Sequence, residues 1–164
     1  MTLSASAQRT ETNHAPGSTA RANGNGGVPE ITRVDMVVAL PNGLIGLPEV
    51  TQLEVIRNPE NWPFITLRSA TQDGLQFLAI EPQDFVPDYV IELNDIDTEA
   101  LGIGRAEDAQ VLNIVTVHSS DPQFVTTNLI GPVVINRRTG IARQVIIANS
   151  EQYSARYVLA DERI

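Results

Sequence analysis

From Ile31 onward the chain is a succession of short apolar runs, each closed by Gly, Pro, Asn or Asp, and this punctuation constrains the fold more than any other feature. Turn residues at such close spacing leave no room for long helices, whereas β-branched and aromatic runs fit strands. Val34, Met36, Val38 and Leu40 alternate with Asp35, Val37 and Ala39 and stop at Pro41-Asn42-Gly43. Period two is a strand with one apolar face. Further strands are expected at 52–57, 64–69, 75–80, 89–93, 110–117, 124–130, 132–136, 141–148 and 153–159. Asn136 to Gly140 has the length and final glycine of a bulged hairpin connection, so its flanking strands should pair antiparallel. One short helix is expected over Asp95 to Leu101, with Asn94 or Asp97 as N-cap and Gly102 as the stop. So many short strands must hide their edges, and curling does so most economically. The expectation is an all-β, small antiparallel barrel-like domain over residues 31–160 with one short helix, followed by a C-terminal end at 161–164.

Residues 1–30 read differently. They hold Pro16, Pro29 and several glycines, no aromatic residue, and only Met1, Leu3 and Val28 as larger apolar side chains. Such a segment cannot offset its ordering entropy, so a disordered N-terminal tail is expected. It has no apolar core of a secretory signal, and no stretch reaches the ~20 apolar residues of a membrane helix. A cytoplasmic protein without membrane contact is the expectation.

The chain has no cysteine, so disulfides and thiolate chemistry are excluded. With 20 acids against 11 arginines, direct nucleic-acid binding is disfavoured, because that affinity rests on neutralising phosphates. His118-Ser119-Ser120-Asp121 contains triad residue types, but adjacent residues cannot face one another as a triad requires. Turn chemistry accounts for them. Gly102-Ile103-Gly104-Arg105 lacks the strand and helix context of a phosphate loop. Asn94, Asp95, Asp97 and Glu99 lack the central glycine of a calcium loop. His14 and His118 have no second imidazole nearby. No catalytic residue, metal site or cofactor is expected, and the chain reads as a non-enzyme.

Charge is concentrated. Glu81, Asp84, Asp88, Glu92, Asp95, Asp97, Glu99, Glu107 and Asp108 face Arg105 alone within 81–108, nine acids less one base, or −8 of the chain's −9. Phe85, Tyr89, Ile91 and Leu93 are interleaved with them. Aromatic anchors beside steering charges suit a protein-binding surface, and Glu81, Asp84, Phe85, Asp88, Tyr89 and Glu92 are its expected members. Asn128 stands among β-branched residues, where its amide serves either the backbone at a kink or a partner. Arg137, Arg138 and Arg143 read as protection of a sheet edge.

Four segments, in this order, resemble the FliW family. They are Leu40-Pro41-Asn42-Gly43-Leu44-Ile45-Gly46-Leu47-Pro48-Glu49; Phe85-Val86-Pro87-Asp88-Tyr89 with Glu92-Leu93; Leu112 to Val117; and Thr126-Thr127-Asn128-Leu129-Ile130-Gly131-Pro132-Val133-Val134-Ile135-Asn136. Leu47, Val86 and Tyr157 depart from the family's usual Phe, aromatic and His. The resemblance implies a protein that binds the RNA-binding carbon storage regulator CsrA and prevents its repression of flagellin translation. Flagellin is then the competing partner that frees CsrA, and the resemblance further implies that CsrA is antagonised away from its RNA-contacting surface, an allosteric arrangement with a negative coupling between two ligands. A flagellin chaperone without a role in translation is the alternative.

Overall fold

One long strand organises the sheet. The computed structural model describes residues 1–5, 33–119 and 124–161, and within them β7, Ala109–His118, is buried along most of its length. Before it come β1 (Thr2–Ser4), β2 (Val34–Ala39), β3 (Gln52–Arg57), β4 (Ile65–Ser69), β5 (Gln76–Ile80), β6 (Val90–Glu92) and helix α1 (Asp95–Leu101). After it come β8 (Phe124–Thr127), β9 (Val133–Asn136), β10 (Ala142–Gln144) and β11 (Tyr157–Asp161). All strand pairs are antiparallel, and the main sheet runs β10-β9-β7-β5-β4-β3-β2.

On one edge β7 pairs with β5 through residues 113–115; on the other it serves β9 through 109–112 and β8 through 115–118. β11 then pairs with β8. The sheet curls until its two edges touch at a single parallel bridge between Ala39 and Ile141, where the Ala39 amide donates to the Gly140 carbonyl at 2.9 Å. One bridge is not a ladder, so the curl is strong but the barrel is not closed.

Two cores follow from the alternation of side chains along a strand. Val133 and Ile135 of β9 join Leu40, Leu53, Val55, Leu67 and Leu112 inside the curl, while Val134 joins Tyr89, Ile91, Leu93, Leu101 and Leu129 on the other side. Both faces of β9 are therefore covered, and its four residues are all buried.

Helix α1 has the expected bounds. The Asn94 side chain accepts from the Asp97 amide at 2.7 Å, and Gly102 ends the helix in the left-handed region at φ 64°. The hairpin between β9 and β10 is likewise where expected, with Gly140 at φ 73°. Other bounds shift because loops are tied to distant elements. β8 ends at Thr127 rather than 130, since Asn128 turns the chain, and β10 ends at Gln144 rather than 148. Past β10 the backbone crosses to β6, where the Ala148 amide donates to the Glu92 carbonyl at 2.7 Å.

The first five residues correct the expectation of a tail starting at residue 1. β1 pairs with β6 in the register Thr2–Glu92, Leu3–Ile91 and Ser4–Val90, and Leu3 is 2% exposed. Leu3 and Ala5, both buried, with a short ladder suffice because β6 offers both an open edge and an apolar cluster beneath it. The rest of the expected tail, 6–30, lies outside the described residues, as do 120–123 of the expected turn and the chain end after Asp161. Among the described residues no helix is long and apolar enough to cross a membrane.

Candidate protein-binding surface

Between β3 and β4, Pro59–Asn61 forms a 3-10 turn capped by Asn58, whose side chain accepts from the Glu60 amide at 3.0 Å. That turn projects Trp62, 70% exposed, away from the sheet. A second 3-10 turn, Pro82–Asp84, follows β5 and brings Phe85 opposite, with ring centroids 5.9 Å apart. The two rings, with Pro63, Phe64 and Ile65, line a cleft of about 310 Å³. A smaller cavity of about 180 Å³ adjoins it, sharing Pro63, Phe64 and Phe85 and continuing to Ile80, Val125 and Leu159.

The rim of the larger cleft is acidic. Glu81 and Asp84 line it together with Arg57, and Asp35 reaches Arg57 from beside it. Arg57 is already committed: it pairs with Glu81 at 2.7 Å and Asp35 at 3.8 Å. Burial alone would raise the Glu81 carboxyl, but the Arg57 charge and hydrogen bonds from Arg57, Gln110 and Gln83 outweigh it and hold the group below its ordinary value. Glu81 is thus a fixed anion at neutral pH.

The expected surface residues divide. Asp84, Asp88 and Glu92 are exposed and Phe85 is half-buried at the cleft. Asp88 adopts φ 56°, a left-handed turn conformation that Asp tolerates better than most residues, and so closes the loop into β6. Tyr89 is a correction. It is 1% exposed, and its hydroxyl donates to the Leu129 carbonyl at 2.6 Å while accepting from Asn113 Nδ2 at 3.1 Å. Burial raises its phenol well above the ordinary value, against the Asn113 hydrogen bond, so it stays neutral. Because the apolar ring fills the core under β6 and the hydroxyl satisfies a buried carbonyl, Tyr89 supports the surface from beneath and is not part of it.

Asn128 sits at the fork where β7 exchanges β9 for β8. Its Oδ1 accepts from the amides of Ile130 and Gly131, both at 3.0 Å, and its backbone carbonyl receives Asn113 Nδ2 at 2.8 Å. Of the two roles open for it, these bonds supply the backbone one. Asn136 is similar: its Nδ2 donates to the Leu101 carbonyl at 2.9 Å and its Oδ1 accepts from the Arg138 amide at the same distance.

The acidic segment is less free than its composition implies. Arg143, read from sequence as edge protection, pairs instead with Asp97 at 2.6 Å, and Arg138 approaches Asp108 at 3.7 Å. With Arg57 on Glu81, three arginines from outside the segment enter it, taking −8 to −5. His118 stacks on Phe124, centroids 4.1 Å apart, with its Nε2 at 2.9 Å from Thr126 Oγ1. Among the described residues no group of three or more His, Asp or Glu side chains is gathered as a metal site would require.

Trp62 was not legible as a surface residue, because nothing in its own neighbourhood states what covers it. The available signal was its place in Pro59-Glu60-Asn61-Trp62-Pro63, where turn residues surround the chain's one tryptophan.

The described residues form an antiparallel β scaffold that presents an aromatic cleft with carboxylates at its rim. The family model described as FliW protein matches residues 25–159. Flagellar assembly factor FliW of Natranaerobius thermophilus is 32% identical over 129 residues, covering 79% of this chain and 85% of that one. The Desulfitobacterium hafniense protein of the same description is 34% identical over 136 residues, 83% of this chain and 88% of its own. A solved structure described as the crystal structure of the flagellar assembly factor FliW superposes with a TM-score of 0.69 at 33% identity, covering 78% of this chain and 88% of that chain. The chain belongs to the FliW family.

Proposed function

We propose that this protein is a flagellar assembly factor acting in the cytoplasm, where it binds the translational regulator CsrA and antagonises its repression of flagellin synthesis, with flagellin as the competing partner. The observation that carries the reading is the family match across residues 25–159, together with relatives named flagellar assembly factors at about a third identity. The surface is in keeping with it. Asp84, Asp88 and Glu92 are exposed, and a net negative face accelerates encounter with a basic RNA-binding partner. Two partners that exclude one another make the protein a switch, since binding of flagellin must weaken CsrA by the same factor that CsrA weakens flagellin.

The test is binding of purified CsrA and purified flagellin, first separately and then in competition, followed by release of CsrA from a flagellin leader RNA. Each partner should bind, flagellin should lower the apparent affinity for CsrA, and the RNA complex should dissociate when the protein is added. Flagellin binding with no CsrA binding at micromolar concentration would replace this reading with that of a flagellin chaperone. Binding of neither would remove both.

A further inference from the structure

We propose that Asn42 is a modification site held in check by the fold: the Asn42-Gly43 pair is open to spontaneous deamidation, and the clasp that closes the curled sheet keeps it intact. Asparagine followed by glycine is the pair in which this reaction runs most readily, because glycine has no side chain to shield its amide. The Gly43 nitrogen loses its proton to solvent base and attacks Asn42 Cγ. The Cγ–Nδ2 bond breaks, Nδ2 takes up a proton and leaves as ammonia, and a five-membered imide remains. Water opens the ring at Cγ to give aspartate, or at the main-chain carbonyl to give isoaspartate, so one water enters and one ammonia departs. Water is the only co-reactant, and Asn42 is exposed to it.

Three contacts oppose that chemistry. The Gly43 amide donates to the Leu40 carbonyl at 2.9 Å, closing a four-residue turn with Pro41 and Asn42 at its centre, so the nucleophile must first give up a hydrogen bond. Asn42 Oδ1 accepts from Arg143 Nη1 at 3.0 Å, and Arg143 is itself fixed by its Nε on Asp97 Oδ1 at 2.6 Å. Cγ must leave this anchored guanidinium to swing onto the Gly43 nitrogen. The same bond draws electrons from Cγ, which by itself favours attack, but a carbon held away from the nucleophile gains nothing from polarisation, so restraint decides the sign. Finally, the main chain at Gly43 lies so close to that of Pro48 that an added Cβ would stand 2.5 Å from it. Neither the imide ring nor the extra main-chain methylene of isoaspartate has room there.

These contacts belong to the seam where the two sheet edges meet at one bridge. Beside the Ala39 amide on the Gly140 carbonyl, β10 reaches across with two side chains: Arg143 to Asn42, and Gln144 Oε1 to the Ile45 amide at 2.9 Å. Opening the seam releases Asn42 Oδ1, so the rate of deamidation follows how often the seam opens.

The full chain is incubated at mildly alkaline pH, and peptide mapping by mass spectrometry follows conversion at Asn42. A synthetic peptide spanning Leu40 to Pro48 is the reference without a fold, and thermal unfolding of each variant establishes that it is folded under the incubation conditions. Conversion in the folded parent should be at least tenfold slower than in the peptide, and the parent in denaturing urea should match the peptide. Arg143→Ala should convert at least threefold faster than the parent. Asp97→Asn loosens Arg143 without removing it and should accelerate conversion by a smaller factor; it carries the test if Arg143→Ala does not fold. Leu3→Ala weakens the domain at β1, away from the seam, and should convert at the parent rate. Equal rates in the folded parent and the peptide would overturn the protection. A rate in the folded Arg143 variant, or in Asp97→Asn, at or below that of the parent would overturn the clasp. Acceleration of Leu3→Ala to the level of Arg143→Ala would overturn the seam as its origin and assign the reaction to global unfolding.

Discussion

Replacing Leu3 by alanine tests whether the start of the chain belongs to the folded domain. Leu3 is 2% exposed and packs into the cluster that holds Val86, Tyr89, Ile91, Leu93 and Leu101. Truncating a leucine so buried removes transfer free energy and leaves a cavity, together about 2–5 kcal/mol. An upper limit comes from the way β1 is held. Besides the ladder it is fastened by the Ala5 amide to the Tyr89 carbonyl at 3.0 Å, the Leu93 amide to the Met1 carbonyl at 2.7 Å and the Met1 ammonium to the Leu93 carbonyl at 3.0 Å, with Ala5 buried beside Leu3 and Met1 partly so. The strand can therefore leave β6 without global unfolding, and the loss cannot exceed the free energy of that local opening. About 2 kcal/mol is expected, which lowers Tm by roughly 6–10 °C in a domain of this size. Amide exchange localises it: the Leu93 amide should lose protection while the β3–β4–β5 ladder keeps its own. A Tm within about 2 °C of the parent, with the Leu93 amide equally protected in both proteins, would refute the docking of β1.

Asn128→Ala strands the amides of Ile130 and Gly131 and should cost ~1–3 kcal/mol in urea unfolding; unchanged stability with lost CsrA binding would move the residue to the interface. Charge removal at the exposed face is best made as Asp88→Asn with Glu92→Arg, because Asn also accepts the φ of 56° at position 88. Association with CsrA should slow at low salt, and the difference should shrink as screening approaches ~8 Å; identical rates across the salt series would refute steering by this face. Glu81 makes a pH prediction. Its folded carboxyl lies below the ordinary 4.5, so its stabilisation is fully present above 4.5 and is lost as pH falls through the lower folded value. The stability gap between the parent and Glu81→Gln should be flat from about pH 6 to 8 and close on acidification; a gap that widens toward acid would contradict the sign.

Local chemistry was enough to set the β class, the helix and one hairpin. Asn94 and Gly102 act on amides and carbonyls within a turn of themselves, and Gly140 is needed where φ reaches 73°, so these bounds can be read from neighbouring residues. Gly43 is of the same kind, at φ 66°, with a further constraint: a Cβ there would lie 2.5 Å from the Pro48 backbone. The family segments could be read as text too, although much of what they encode is scaffold: Asn128 and Asn136 fasten the backbone where β7 forks and where α1 ends.

Tertiary structure decided everything that depended on residues far apart in the chain. Tyr89 looked like a surface aromatic among acids because the carbonyl that claims its hydroxyl, Leu129, is 40 residues away. Asp97 looked like one more free charge because Arg143 is 46 residues away. Leu3 looked like an isolated leucine in polar text until β6 supplied an edge and a core for it. Trp62 is the converse case, an aromatic residue that composition would place inside and that two turns, one after β3 and one after β5, instead hold in the open beside Phe85. Sequence set the type of each side chain and the local turns; burial and charge pairing belong to the neighbours that folding brings in, and those two quantities decide which residues a partner can reach.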